Sequence, residues 1–274
     1  MKKEPGGKET LGVRMKAYEA VTTGASLVPG LPIYARVDMR AGHTWCRGLE
    51  KPFDPAYSAA MKAATAYVAG ETNAALAMTQ SDEASFAWLD DSKVPFGTRA
   101  FKLQSVVASM FTAAFLRRYA EEAGMPDRLP SFDCRALNMP SLDEAANMFV
   151  WRSQDSQKNS ITLLALEHFP HKALQGVNGE EKIRMLAEKG VDYWALQEDL
   201  RVGAFFRHEL YEKVLTPEET ARIPEAARKA GPDGLVRATR SRVAQFSFGM
   251  PPAEVANKAG AFFFGEAPVR KERA

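Results

Sequence analysis

Four short runs of β-forming residues alternate with two longer segments of helical periodicity between residues 31 and 139. The elements run strand, helix, strand, strand, helix, strand, at residues 31–37, 55–70, 75–80, 83–89, 99–122 and 131–139. Few folds accommodate this order within one sheet. It is the order of the split βαβ unit of ferredoxin-like folds, so we expect that fold class here.

The first helical segment carries both a buried face and a start signal. Its apolar residues include Tyr57, Met61 and Val68, whose spacing places them on one side of a helix. Asp54 stands where a helix N-cap belongs, and the proline that follows it suits the first helical turn. The segment therefore predicts a helix that packs one face against the sheet.

In a ferredoxin-like arrangement, the four strands form one antiparallel sheet with both helices on one face, and the other face is left open. The first and third strands are adjacent at its centre. Asp38, at the end of the first strand, is therefore expected to lie near Asp82 and Glu83, in the turn before the third strand. The topology predicts that carboxylates distant in sequence meet at one edge of the sheet.

The second half of the chain predicts helix, helix, strand and strand, at residues 141–169, 179–189, 202–214 and 234–248. Ser141 and Glu144 have the spacing of a capping box at the start of the long helix. We expect an α+β protein whose ferredoxin-like domain occupies residues 1–140. Residues 141–274 form a helical and β-hairpin extension that packs on this domain and does not fold independently.

Composition limits the class of protein. The chain has 274 residues, 46% apolar and 26% charged, which is typical of a globular protein with a sizeable core. It has no apolar run of membrane-spanning length, and its first ten residues, MKKEPGGKET, lack the apolar core expected of a signal peptide. Its two cysteines fit a reducing compartment. We therefore expect a cytoplasmic protein that does not act in a membrane. The net charge of +2 is small, so a nucleic-acid site would be a local basic patch.

Arg237, Arg240 and Arg242 form such a patch in the last predicted strand. Two interpretations of this basic strip remain open. It could contact RNA phosphates, or it could protect an edge strand by its charge.

The predicted cluster of Asp38, Asp82 and Glu83 would be repulsive unless a cation lies among the carboxylates. Magnesium takes oxygen ligands, usually one or two carboxylates together with water and substrate phosphates. Two such ions roughly 4 Å apart would activate an attacking hydroxyl and stabilise a leaving phosphate. The alternative is that both aspartates are ordinary turn residues, because aspartate is favoured in turns.

Five strings resemble, in order, the motifs of tRNA(His) guanylyltransferase and its 3′–5′ polymerase relatives. They are RVDMR (36–40), LEKPFD (49–54), QSDEASF (80–86), PSFDCR (130–135) and WRSQDSQKNS (151–160). Weaker similarity continues to about Arg201, and none is recognised from His208 onward. The resemblance implies a polymerase-like palm and nucleotide addition at an RNA 5′ end.

Carried over residue by residue, the resemblance implies that Asp38 and Asp82 bind two Mg²⁺ ions, with help from the backbone carbonyl of Met39. Glu83 would lie close to these metals. The family usually has glycine where this chain has Met39, so the site loses backbone freedom if that position needs a positive φ.

The resemblance also implies that Lys51, Ser81, Arg99 and Lys102 bind the triphosphate. Arg99 and Lys102 would share one face at a helix start, where the helix dipole adds positive potential. Without the motif, all three basic residues would be read as exposed surface side chains.

Four further positions, Arg135, Arg152, Asp155 and Asn159, match family positions that could hold nucleotide or RNA. The alternative for Arg152 and Asp155 is an internal ion pair that joins the helix to the sheet. The family pattern carries histidine two residues before the asparagine, and this chain has Gln157 there.

The function that the resemblance implies is metal-dependent addition of guanylate to a tRNA 5′ end, with ATP and GTP as further substrates. Because of Gln157, template-dependent repair of tRNA 5′ ends is the main alternative. A palm-type nucleotide cyclase and a non-catalytic RNA-binding protein are weaker alternatives. The family also implies a homo-oligomer, commonly a tetramer.

Overall fold

The computed structural model describes residues 25–89, 94 and 96–272, together with residues 12, 13 and 15. These residues form a mixed α/β structure around one six-stranded sheet, in which every pair of neighbouring strands is antiparallel. The strand order is β4-β1-β3-β2-β5-β6. The strands are β1 (Ile33–Met39), β2 (Leu76–Gln80), β3 (Glu83–Trp88), β4 (Phe132–Asn138), β5 (Ala204–Val214) and β6 (Arg237–Phe246).

Two long helices connect the first four strands, and a third follows them. The helices are α1 (Gly42–Trp45), α2 (Pro55–Thr72), α3 (Ala100–Ala123), α4 (Leu142–His168), α5 (His171–Leu174), α6 (Gly179–Glu188), α7 (Glu198–Val202), α8 (Pro217–Ala221) and α9 (Lys258–Phe263). Short 3₁₀ turns lie at Tyr193–Ala195, Glu225–Ala227 and Pro252–Glu254. No helix of the described residues is long and apolar enough to cross a membrane.

The two N-cap residues that the sequence predicted, Asp54 and Ser141, start their helices. Asp54 caps α2, because its Oδ1 accepts a hydrogen bond of 2.8 Å from the Tyr57 backbone N–H. Ser141 caps α4 through a 3.1 Å hydrogen bond from the Glu144 backbone N–H to its hydroxyl. The alternation of strands and helices over residues 33–138 also agrees with the prediction, although α1 was not expected.

Helices α2 and α3 cover one face of the sheet, as predicted. Ile33 and Val37 of β1 and Phe86 of β3 pack there against side chains such as Phe111 and Phe115 of α3. Burial of these large apolar side chains stabilises the fold by roughly 1.5–3 kcal/mol each.

The expectation of an open second face is wrong. Tyr34, Leu76, Met78 and other apolar residues lie on that face and pack against Phe149 of α4 and Phe262 of α9. The physical reason is that β2 is apolar at successive positions rather than at alternate ones, so both faces of the strand must be buried. Helix α4 is therefore held over the sheet, where it can contribute side chains to the end that carries the carboxylates.

The two C-terminal strands were predicted correctly, and they extend the sheet beyond β2. Strand β5 pairs with β2 and β6 forms the outer edge. In the basic strip of β6, Arg242 forms an ion pair with Glu209 at 2.6 Å and Arg237 forms one with Asp233. This pairing favours the interpretation of a charge-protected edge strand. The division into domains at residue 140 stays a prediction.

Candidate functional site

The register of the central strands brings the three predicted carboxylates together. Asp38 lies directly opposite Glu83 in the pairing of β1 with β3. The Met39 backbone N–H donates a 3.0 Å hydrogen bond to the carbonyl of Asp82, in the tight turn between β2 and β3. Ser81 adopts a φ of 49° in that turn. Side chains from two distant segments therefore lie at one end of the sheet, as the topology predicted.

Asp82 is enclosed by backbone on one side. Gly42, the first residue of α1, lies so close that a Cβ atom there would overlap Oδ2 of Asp82. Burial raises the pKa of the Asp82 carboxyl, while hydrogen bonds from its own backbone N–H and from Ser81 oppose this shift. The carboxylate thus lies in a cradle that only glycine permits.

Asp38 is destabilised as an anion. Burial, followed by the charges of Asp82 and Glu83, raises the pKa of its carboxyl to about 6. A cation between Asp38 and Asp82 would remove both penalties, so we define these two residues as the carboxylate pair.

Glu83 has a different environment, because basic and polar side chains surround its carboxylate. Arg152 donates to both of its oxygens, at 3.0 and 3.2 Å, and Gln80 Nε2 donates at 2.9 Å. Arg36 lies 3.5 Å away. We call Glu83 and its four neighbours the Glu83 network; the neighbours are Arg36, Gln80, Arg152 and Asp155. Its charges are balanced within the protein, so the network does not need a metal.

The carboxylate pair fits magnesium by its chemistry. Two carboxylates, with ligand oxygens and water completing the shell, are what this ion usually takes from a protein. Among the described residues, no group of three or more His, Cys, Asp and Glu side chains forms a closed metal cage. Met39 is buried and its φ is not positive, so the side chain is accommodated and its carbonyl remains a candidate ligand.

A cleft of about 570 Å³ lies beside the carboxylate pair. The segment from α1 to the start of α2 forms one wall, α4 forms another, and the end of β2 with α7 forms the inner wall. It brings together four of the predicted site residues, namely Lys51, Ser81, Asp82 and Asn159. A volume of this size suits a nucleotide-sized ligand.

Arg152 and Asp155 form the ion pair that the alternative interpretation expected. The Arg152 side chain is only 6% exposed, and its guanidinium stacks on Trp151 with 3.9 Å to the ring centroid. Neither residue lines the cleft formed by the described residues. The bonds of Arg152 to Glu83 join α4 to β3, and Asp155 holds Arg152 from within α4.

Three further predicted residues also lie outside the cleft that the described residues form. Arg99 and Lys102 are at the start of α3, near the Trp88 end of β3, whereas the carboxylate pair is near its Glu83 end. The two ends of β3 are roughly 17 Å apart. Arg135 is exposed on β4, 3.9 Å from Asp133. Arg135 is nearer to the pair, because Asp133, two residues before it on β4, lies opposite Asp38. The roles predicted for these three residues stay predictions.

The cleft also contains residues that the sequence did not single out: Tyr57, Lys62, Gln80 and Asp199. Gln80 stands inside one of the five matching strings, so a signal for it existed. Asp199 and its ion-pair partner Lys62 are 137 positions apart, and no local pattern connects them.

The fold and the site together define a class of protein: a mixed α/β protein with a six-stranded antiparallel sheet, paired carboxylates and an adjoining cleft that holds Lys51. The family profile described as tRNA(His) guanylyltransferase matches residues 12–140. A structure of a bacterial tRNA(His) guanylyltransferase-like protein in complex with ATP is 34% identical, with a TM-score of 0.65 over 72% of this chain and 88% of that chain. The chain belongs to the tRNA(His) guanylyltransferase family.

Further relatives agree with this assignment. The tRNA(His) guanylyltransferase of Schizosaccharomyces pombe is 33% identical to this chain, and the match covers 54% of this chain and 56% of that relative. The enzyme of the same name from Neurospora crassa is 29% identical over 74% of this chain and 76% of its own. A bacterial tRNA(His) guanylyltransferase-like protein in complex with GTP is 28% identical, with a TM-score of 0.65 over 86% of this chain and 91% of that chain.

Proposed function

We propose that this chain is a metal-dependent nucleotidyltransferase that adds guanylate to the 5′ end of a tRNA, in the 3′–5′ direction, on a polymerase-like palm. The observation that carries the proposal is the carboxylate pair beside a cleft that contains Lys51 and Ser81. The names of the two fungal relatives, both tRNA(His) guanylyltransferase, support the reaction class.

In this proposal Asp38 and Asp82 hold two Mg²⁺ ions, and the carbonyl of Met39 contributes a further oxygen. The ions would supply charge neutralisation for the triphosphate and for the attacking and leaving oxygens. Lys51 and Ser81 hold phosphate oxygens by charge-assisted and neutral hydrogen bonds. The protein thus mainly positions the reacting groups and contributes no covalent intermediate.

The substrates follow from the chemistry of 5′ addition. A tRNA with a 5′-monophosphate must first be activated by ATP, whereas a tRNA with a 5′-triphosphate needs no activation. The 3′-hydroxyl of GTP then attacks the 5′ phosphorus. AMP or pyrophosphate leaves. The solved relatives in complex with ATP and with GTP support a site that takes both nucleotides.

One observation favours the second candidate, template-dependent repair of tRNA 5′ ends. Gln157 replaces the family's histidine, lies on α4 and is absent from the lining of the cleft that the described residues form. Glutamine offers only neutral hydrogen bonds where histidine can be cationic. Fixed recognition of one tRNA would then be weaker, and pairing with the opposing base would decide what is added. The tetramer and the cytoplasmic location remain expectations.

The experiment is transfer of labelled GTP, with Mg²⁺ and ATP, to tRNA(His), to a 5′-truncated tRNA and to no RNA. We expect a labelled tRNA that depends on Asp38 and Asp82, while Asp127→Ala, at an exposed carboxylate that does not line the cleft of the described residues, leaves transfer unchanged. Cyclic product without RNA would instead identify a cyclase, and RNA binding without transfer would identify a non-catalytic protein.

The truncated tRNAs separate the two proposed functions. The nucleotide opposite the added position is varied through all four bases, and the products are sequenced. Addition of guanylate to tRNA(His) alone, whatever the opposing base, contradicts the repair function. Addition of the complementary nucleotide to several tRNAs supports it.

A further inference from the structure

Two oxygen atoms on the inner wall of the cleft are buried and have no hydrogen-bond partner among the described residues. They are Oε1 of Gln80 and Oδ1 of Asp199. A buried acceptor without a donor is costly, and native proteins keep few of them. In a cleft, such an acceptor indicates a ligand that brings the missing donor.

The orientation of the Gln80 amide is fixed. Its Nε2 donates to Oε2 of Glu83 at 2.9 Å, and the residue is only 8% exposed. Exchange of the amide nitrogen and oxygen would turn an oxygen toward the Glu83 carboxylate, which is repulsive. Oε1 is therefore a fixed acceptor.

The Asp199 carboxylate is fixed in the same way. Its Oδ2 accepts hydrogen bonds from Lys62 Nζ and from Gln245 Nε2, the latter at 3.3 Å. Oδ1 is left as the acceptor without a donor among the residues that the structure describes.

The two acceptors belong to elements that pack closely. Gly203, which follows α7, has a φ of 91°, and a Cβ there would meet the Thr79 carbonyl at 3.1 Å and Gln80 Cβ at 3.5 Å. A glycine is thus required for α7 to approach the end of β2. This approach places Asp199 and Gln80 on one wall of the cleft.

We propose that Gln80 and Asp199 form a subsite that accepts hydrogen bonds from the nucleoside part of the bound nucleotide. The inference rests on the proposed function, since it assigns an orientation to the nucleotide in the same cleft. Phosphate oxygens are themselves acceptors and are repelled by this wall, so the triphosphate lies toward Lys51 and Ser81. The donors are N–H groups of the base or O–H groups of the ribose.

Asp199→Asn gives a sharp test because it changes the polarity of one atom. Lys62 and Gln245 both donate at the Oδ2 position, so the asparagine oxygen takes that place and the NH₂ group replaces Oδ1. A donor then faces the donor of the ligand. We expect the affinity for GTP, measured by calorimetry with Mg²⁺, to fall by about tenfold or more.

A set of GTP analogues identifies the donor. Inosine, N1-methylguanosine, 2′-deoxyguanosine and 3′-deoxyguanosine triphosphates each lack one donor of GTP. The analogue that lacks the contacting donor is expected to bind the wild type and Asp199→Asn with equal affinity. A loss of the same size for GTP and every analogue would overturn the proposal, because the lost contact would then not involve a nucleoside donor.

Two further variants control the test. Glu198→Gln makes the same change of charge in α7, at a residue that bonds Ser247, and should leave GTP affinity unchanged. Gln80→Met removes the second acceptor at nearly constant volume, and it provides the test if Asp199→Asn fails to fold.

Unchanged GTP affinity in folded Asp199→Asn and Gln80→Met overturns the subsite, even if guanylate transfer by the wild type upholds the proposed function. If the folded wild type binds neither GTP nor ATP, the proposed function itself fails.

Discussion

The carboxylate pair and the Glu83 network lie side by side at the same end of the sheet, but only the charges of the network are neutralised by neighbouring side chains. In the network, one glutamate is surrounded by two arginines and a glutamine. In the pair, Asp38 and Asp82 are partly buried, and the pKa of each carboxyl is raised by burial. The difference teaches that a charge neutralised inside the protein holds elements together, whereas a charge left unneutralised is available to a ligand.

The largest expected effect is on catalysis, through the pair. Asp38→Asn and Asp82→Asn should each lower guanylate transfer by more than about 10³-fold, equivalent to roughly 4 kcal/mol, because each removes a metal ligand. Circular dichroism checks that the fold is intact. Near-normal transfer by either folded variant would show that the substituted aspartate is not a required Mg²⁺ ligand.

The second effect is on stability, through the network. Arg152→Met should lower the free energy of unfolding by about 3 kcal/mol, because it leaves Glu83 and Asp155 without their main partner. Urea denaturation measures this. The control is Arg118→Met, at an exposed arginine paired with Glu121 and Glu122, which should change stability by less than about 0.5 kcal/mol. Equal effects would mean that the network is no more than a surface ion pair.

The third effect extends the comparison to the basic residues. Lys51→Ala should weaken GTP binding by about 2 kcal/mol, because a charge-assisted contact to phosphate is lost. Calorimetry measures the affinity, and Lys172→Ala, at an exposed lysine of α5, serves as the matched control. Unchanged GTP affinity in Lys51→Ala would mean that this residue is an ordinary exposed lysine that does not bind phosphate.

The smallest effect is the dependence of stability on pH. Folding raises the pKa of Asp38 from 3.8 to about 6, so the folded state binds this proton more tightly than the unfolded state does. At about pH 3 and below, well under both pKa values, the group is protonated in both states and carries no penalty. Stability is lost as the pH rises toward 6 and stays lower above it, by about 1 kcal/mol once solvent screening is allowed for.

Asp38→Asn lacks this penalty. Without Mg²⁺ it should therefore be more stable than the wild type at pH 7.5 and match it at about pH 3, as measured by urea denaturation. Added Mg²⁺ should reverse the order at pH 7.5, because only the wild type binds the ion. If Asp38→Asn is less stable than the wild type at pH 7.5 without Mg²⁺, the ionised Asp38 carboxylate does not destabilise the folded state.

Local patterns were sufficient for the central fold and for the carboxylate pair. Strand and helix periodicity predicted the β-α-β-β-α-β order, and that order by itself places Asp38 near Asp82. The covered second face could also have been predicted, because Leu76, Ala77 and Met78 are consecutive apolar residues and a strand exposed on one face would alternate.

Other features depended on information that no local pattern holds. Arg99 and Lys102 looked suitable because they begin a helix, but a helix start alone does not say at which end of the sheet it lies. Antiparallel pairing places it at the far end from Asp38. The contact of Lys62 with Asp199 needs α7 to return to β2 after more than a hundred residues, which only the complete fold determines.

Gly42 shows how a residue without a functional group can be as constrained as a catalytic one. Its hydrogen atom occupies the space where any side chain would displace Asp82. Thr44, two residues later in the same helical turn, is exposed. During evolution, selection on nucleotide transfer would therefore remove substitutions at position 42 as strictly as those at Asp82. Position 42 takes no part in the reaction and only leaves space for the aspartate.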